Sequence, residues 1–215
     1  PYDTAFGSDG TIYVINRCDT ARASAIRVGI LNFDEEYLGE FGYGNGDGDG
    51  QLVWPVSMRF DSQERLYITD EYNHRITIFD TSGKFIGKWG TFGTCRGELN
   101  GPAGIDIDSS NNIYVVDQHN SRIQKFAADG KYITSWGQFG SNKGQLNLPW
   151  GISIGPDESI FVADWRNDRI QKFSPEGDTL AVFGESGSRD GQFDRPAGLS
   201  IGSDGLIYVA VGVNE

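Results

Sequence analysis

Asp70, Asp117 and Asp164 are each followed five residues later by an arginine, Arg75, Arg122 and Arg169, and successive pairs stand 47 residues apart. A carboxylate facing a guanidinium across a short loop can form a charge-assisted hydrogen bond. A catalytic residue has no reason to appear three times, so these six residues are expected to form a structural network that satisfies loop backbone groups. Nothing else in the chain singles out a catalytic residue. There is no nucleophile elbow, phosphate-binding loop or dinucleotide fingerprint. The two histidines, His74 and His119, sit at different offsets within the repeated text, which argues against a shared metal ion. The stretch GNGDGDGQ at 44–51 imitates the start of a calcium loop, with oxygens at Asn45, Asp47 and Asp49. Its twelfth position is Val56, where a bidentate glutamate belongs. No catalytic residue, metal site or cofactor is therefore assigned, with calcium or another divalent ion as the minor alternative.

Binding chemistry is sought where the repeats disagree. Between the fixed acid and arginine lie Glu71, Tyr72 and His74 in one copy, Gln118, His119 and Ser121 in the next, and Trp165, Arg166 and Asp168 in the third. A second set flanks the recurring prolines: Tyr2, Trp54, Val56, Gly101, Leu148, Trp150 and Arg195. Aromatic and arginine side chains dominate interface hot spots. The expected ligand-binding face consists of Trp54, Tyr72, His74, His119, Trp150, Trp165, Arg166 and Arg195, on loops that a rigid scaffold presents.

The scaffold follows from the spacing of the prolines. Pro55, Pro102, Pro149 and Pro196 are separated by 47 residues each, and Pro1 opens a related unit. Such self-similarity marks stacked structural repeats. In the unit 102–148, an apolar alternation through Ile105 and Ile107 ends in the turn SSNN, and a second strand follows at Ile113–Val116. A polar stretch leads to Arg122 and a third strand, IQKF. The Asp-Gly of AADGK then makes a hairpin turn, and YITSW forms the fourth strand before a Gly-rich loop. Four short antiparallel strands per unit, with no amphipathic helical stretch, predict a β-propeller blade. Units are expected at 1–54, 55–101, 102–148 and 149–195, with a partial one at 196–215, in a single domain. Tyr67, Tyr114, Phe161 and Tyr208 are expected in the core, and Trp89, Trp136 and Phe183 between blades. The loop after the second strand and the loop between units should emerge on one face, the tight turns on the other.

The segments YITDEYNHRITIF at 67–79, YVVDQHNSRIQKF at 114–126 and FVADWRNDRIQKF at 161–173, with the surrounding P-x-G and G-K-x-x-x-x-W-G elements, resemble the NHL repeat. The resemblance covers essentially the whole chain and implies an all-β fold, part of a six-bladed propeller. It does not imply one activity, because similar proteins include extracellular sensor and scaffold domains, RNA-binding domains and a few lyases. A protein, peptide or glycan ligand bound without catalysis is the leading expectation. A metal-assisted lyase or lactone hydrolase comes second, although the amidating type would need more histidines than the chain holds, and RNA binding third. The ends depart from the pattern: Asn16 replaces the acid, Arg27 lies eleven residues after it instead of five, and Val211 replaces the last acid. Four units and two strands of a fifth fall short of six blades, so the chain is expected to be part of a longer one.

Composition narrows the partners. The net charge of −12 disfavours nucleic acid, whose phosphates are bound largely through Lys and Arg, although Arg17, Arg22 and Arg27 form a local basic group. No apolar run is long enough to span a membrane. The two cysteines, Cys18 and Cys95, do not make a disulfide scaffold, but a bridge between them would place the protein in an oxidising compartment. Location is left open, with an extracellular or periplasmic setting slightly favoured, and oligomeric state is open too.

Overall fold

The computed structural model describes residues 2–17, 26–44 and 46–211. Pro1, Cys18, Arg22 and Asn45, on which parts of the sequence reading fall, lie outside the described residues. The chain is all-β and divides into two compact units, 1–102 and 103–215.

The first unit holds two propeller-like blades, each a four-stranded antiparallel sheet in sequence order. One is built from β1 (Thr4–Phe6), β2 (Ile12–Asn16), β3 (Arg27–Leu31) and β4 (Tyr37–Phe41). The other is built from β5 (Pro55–Phe60), β6 (Leu66–Asp70), β7 (Arg75–Phe79) and β8 (Phe85–Trp89). Its core joins Tyr13, Ile15, Ile26, Val28, Phe41 and Leu52 to Met58, Leu66, Ile68 and Phe79. Asp3 ties the two sheets by accepting from Ser57 Oγ at 2.8 Å and from the Met58 amide at 2.9 Å.

The second unit repeats the design with β9 (Pro102–Ile107), β10 (Ile113–Asp117), β11 (Arg122–Phe126) and β12 (Tyr132–Trp136), then β13 (Ile152–Ile154), β14 (Ile160–Asp164), β15 (Arg169–Phe173) and β16 (Thr179–Phe183). A two-stranded sheet, β17 (Pro196–Ile201) and β18 (Ile207–Val211), follows. Here too an aspartate ties the sheets, Asp106 accepting from the Ile154 amide at 2.8 Å, and a glycine adds a close backbone contact. The Gly104 amide donates to the Trp150 carbonyl at 2.9 Å, and a Cβ on Gly104 would lie 2.6 Å from that oxygen.

Middle strands β6, β10 and β14 are buried at every residue, as expected for strands covered on both faces. A register shift recurs between the third and fourth strands of each blade, at Ile30/Leu31, Ile78/Phe79, Lys125/Phe126 and Lys172/Phe173. The Asp-Gly turn forms as expected, with Gly130 at φ 85°.

Four expected core positions need correction. Tyr67, Tyr114 and Phe161 are buried, but Tyr208 is 59% exposed, because its strand β18 has a single neighbour among the described residues. Trp89 and Trp136 are only half-buried and Phe183 is 40% exposed. They stand on the outermost strand of their blades, which pairs on one side only, although Trp136 does lie between blades, against Tyr114 and Phe173.

Candidate functional site

The repeated acid organises the loop face of the three blades that carry it. Asp164 is buried at the end of β14 and receives four donors: the Asn147 amide at 2.7 Å, Asn167 Nδ2 at 2.8 Å, Arg169 Nε at 2.8 Å and Gln171 Nε2 at 3.0 Å. Asp117 is held in the same way by Asn120, Arg122 at 2.7 Å and Gln124. Asp70 takes the Val53 and Trp54 amides and Asn73 Nδ2, but Arg75 Nε stands off at 4.0 Å. The arginines also clamp the preceding loop, Arg169 through the carbonyls of Ser141, Asn142 and Gln145 and Arg75 through those of Asp47 and Gln51. The loop between blades and the loop after the second strand are thus joined directly, and the Arg166 amide adds a bond to the Asn147 carbonyl at 3.1 Å.

A second repeated position fixes the loop's path. His74, Ser121 and Asp168 lie 47 residues apart and adopt left-handed backbone, with φ 52°, 52° and 51°. The His74 Nδ1 accepts from the Gly101 amide at 3.0 Å, and the Asp168 carboxylate accepts from the equivalent Arg195 amide at 2.8 Å. The His74 ring also packs on Phe92 at 4.7 Å. His74, expected on the binding face, therefore spends one ring nitrogen on loop geometry, whereas His119 is exposed.

The remaining binding-face candidates fall into two groups, one in each unit. In the second unit Trp165 carries two guanidiniums, Arg166 at 4.7 Å and Arg195 at 5.6 Å from its ring. Trp150 leans against it with ring centroids 6.4 Å apart. Arg166 is exposed, and the Arg195 side chain is half-exposed, with Asp194 at 4.0 Å. Stacking on an indole orients a guanidinium while leaving its donor edge available.

In the first unit the Arg17 guanidinium lies over two rings, 4.2 Å from the centroid of Tyr2 and 4.4 Å from that of Trp54. Glu71 meets it at 3.4 Å, and Tyr72 sets its ring edge against Trp54 at 6.4 Å. Arg17 follows the position of the repeated acid, as Trp165 does, and Trp54 precedes its proline, as Arg195 does. The two groups therefore use the same pair of repeat positions with indole and guanidinium exchanged. Sequence reasoning named Tyr2, Trp54 and Tyr72 but placed Arg17 in a basic patch, because its charge was grouped with Arg22 and Arg27 instead of being read by repeat position.

The calcium-like loop is engaged by cations of the protein itself. Lys88 Nζ lies 3.0 Å from the Asp49 carboxylate and 2.8 Å from the Asp47 carbonyl. Among the described residues no group of three or more His, Cys, Asp or Glu is arranged to hold a metal ion, and no helix is long and apolar enough to cross a membrane. Cys95 is exposed.

Residues 54–136 match the DUF5128 family, a 6-bladed beta-propeller, and residues 146–173 match the NHL repeat. Among solved structures, virginiamycin B lyase from Staphylococcus aureus, as a catalytically inactive variant with quinupristin, is 18% identical at a TM-score of 0.70, covering 98% of this chain and 63% of that one. A chain of a nidogen/laminin complex is also 18% identical, with a TM-score of 0.73, covering 98% and 71%. A protein of unknown function from Bacteroides thetaiotaomicron is 17% identical with a TM-score of 0.69, covering 97% and 56%. The chain spans about 62% of the length of the streptogramin B lyase it resembles. A search of the curated proteins finds no match.

Proposed function

We propose, from the premise that the chain is built of blades of the NHL-repeat β-propeller family, that it binds a protein, peptide or glycan partner through its loop face without catalysing a reaction on it. One observation carries the proposal. Trp165 presents Arg166 and Arg195 at the surface beside Trp150, a concentration of the residue types on which interface energy concentrates. Sequence dictates each placement: the repeated acid and arginine rigidify the loop, the variable positions between them carry Trp165 and Arg166, and Trp150 and Arg195 flank the recurring prolines. The nidogen/laminin complex is in keeping with this reading, since a chain of the same fold there belongs to a protein assembly.

The test is capture of ligands from peptide and glycan arrays by the purified chain, followed by affinity measurement. Replacing both Trp165 and Arg166 with Ala should weaken binding by more than about 2 kcal/mol. Lys131 and Asn111 lie on the tight turns, where the Lys131 amide bonds to Asp129 and Asn111 takes a positive φ. Their substitution should leave affinity unchanged. Loss of binding in the turn variants, with the Trp165 and Arg166 variant binding normally, would overturn the choice of face.

A further inference from the structure

We infer that Tyr2, Trp54, Tyr72 and Glu71 form a receptor for a guanidinium side chain of a partner, and that Arg17 occupies this receptor as a built-in competitor. The inference rests on the first unit alone and stands whether or not the Trp165 cluster binds anything.

The box has the parts such recognition requires. A planar cation is favoured over the faces of aromatic rings, most of all Trp, and Arg17 lies over both Tyr2 and Trp54. The carboxylate of Glu71 meets the guanidinium edge at 3.4 Å. Its own position is fixed by the loop, because the Glu71 amide donates to the Trp54 carbonyl at 2.9 Å. The two arms of the box are anchored on different blades. Tyr2 is tied through its amide to the Ile15 carbonyl of β2, while Trp54 is tied through its amide to Asp70 at 2.9 Å. Tyr72 is 65% exposed and forms the wall next to Trp54 that a partner would meet first. The Trp54 indole Nε1 makes no hydrogen bond, so the ring is held by packing and by the cation it faces.

Three features make a receptor the better account than a passive contact. Large aromatic groups are left at the surface around the cation: Tyr2 and Tyr72 are both exposed. The guanidinium is also held more closely than its counterpart in the second unit, at 4.4 Å from Trp54 against 5.6 Å between Arg195 and Trp165. The charge of the protein, −12, favours approach of a cationic partner. An arginine of the partner would displace Arg17 and take the same stacking and carboxylate contacts. Occupation by Arg17 lowers the apparent affinity by the fraction of time the box is filled, so the contact is autoinhibitory and its strength is set by one residue.

Methylguanidinium, below its denaturing range, is the probe, with neutral methylurea as control and the Trp54 indole Nε1–H signal as readout. Arg17→Ala should bind the probe at least about tenfold more tightly than the natural chain. Methylurea should give no saturable shift, and adding Trp54→Ala should abolish the response at the remaining box signals. Equal affinity with and without Arg17, or a response to methylurea matching that to methylguanidinium, overturns the inference. If Arg17→Ala lowers the melting temperature enough to confuse the comparison, Arg17→Gln serves in its place. The natural chain gives an independent measurement: its Arg17 Nε–H signal, shifted by two rings, should move toward the free position as the probe is added. A signal that stays in place while the probe saturates at Trp54, or no saturation at all in any variant, equally overturns it.

Discussion

Arg75 Nε stands 4.0 Å from the Asp70 carboxylate, whereas the equivalent pairs Arg122–Asp117 and Arg169–Asp164 close to 2.7 and 2.8 Å. The difference traces to a third residue. Gln124 and Gln171 each donate an amide to their acid, but the same repeat position in the second blade is Thr77, whose hydroxyl is buried without a partner, as is Arg75 Nε. A buried polar group left unsatisfied costs more than a hydrogen bond returns. Thr77→Gln should therefore stabilise the protein by about 1 kcal/mol, as one net hydrogen bond does. A rise in the denaturant midpoint checks this, and a fall would show that the second blade has no room for the amide.

The converse change tests what the acids hold together. Asp164→Ala removes the acceptor for four donors and leaves Arg169 Nε facing an apolar gap. Removing one partner of a buried ion pair typically costs ~3–5 kcal/mol. Equilibrium unfolding should show a loss of that size.

On the tight-turn face, Asp157 pairs with Lys172 at 2.9 Å. The hydrogen bond from the lysine ammonium, followed by those from the Ser159 hydroxyl and amide, lowers its carboxyl from 3.8 to about 2. A depressed folded-state value contributes stability above the unfolded value and loses it as pH falls through the folded one. The contribution of this pair should thus be complete above about pH 5 and be lost progressively as pH falls through the folded value, with nothing left by about pH 1. Following the Asp157 carboxyl by NMR should give a midpoint near 2, and Lys172→Met should return it toward 3.8.

The register of the blades was legible because it is written several times. An equal interval between prolines, acids and arginines leaves one strand assignment, and hydrogen bonding within a blade depends on near neighbours in sequence. The loop face was legible for the same reason, since strand direction alone decides where each loop emerges. What the sequence could not show is contact between positions far apart in the repeat. Arg17 and Trp54 meet across 36 intervening positions, and the exchange with Trp165 and Arg195 becomes visible only once their contact is known. The role of His74 was equally hidden: a histidine in a loop reads as a ligand-binding group, and only the equivalence to Asp168, a second acceptor for the same repeat amide, identifies it as a loop brace. Burial of the outermost strand was overestimated at Trp89, Trp136 and Phe183 because recurrence records packing without recording how many sides are packed.

That correction carries its own prediction. Trp136 contacts Tyr114 at 6.1 Å and Phe173 at 6.1 Å, and its ring fills the space beside Gly177, yet it is only half-buried. Trp136→Ala should cost roughly 2–3 kcal/mol, less than the ~3–5 typical of a fully buried aromatic. Phe183→Ala, at 40% exposure, should cost about 1 kcal/mol. Equal destabilisation by the two changes would contradict the difference in burial.

The glycines that follow the recurring prolines offer the sharpest test of how successive sheets of the second unit approach each other. Gly104, Gly151 and Gly198 share one repeat position, and none has the positive φ that would demand glycine for its backbone. Their surroundings differ. A Cβ on Gly151 would lie 2.3 Å from the Ala197 carbonyl oxygen, and on Gly104 2.6 Å from that of Trp150. In both cases the obstacle is backbone in a neighbouring strand or loop, which cannot rotate aside. On Gly198 the nearest atom would be the Ala210 Cβ at 3.5 Å, an ordinary contact. Gly151→Ala must therefore push the sheet of β13 away from that of β17, at a cost in the range of overpacking, ~1–3 kcal/mol, and Gly104→Ala should behave alike. Gly198→Ala should change stability by no more than about 0.5 kcal/mol, as surface substitutions do. Three single substitutions followed by thermal unfolding decide the matter: if all three are tolerated, glycine at this position reflects the repeat pattern and not the close approach of neighbouring backbones.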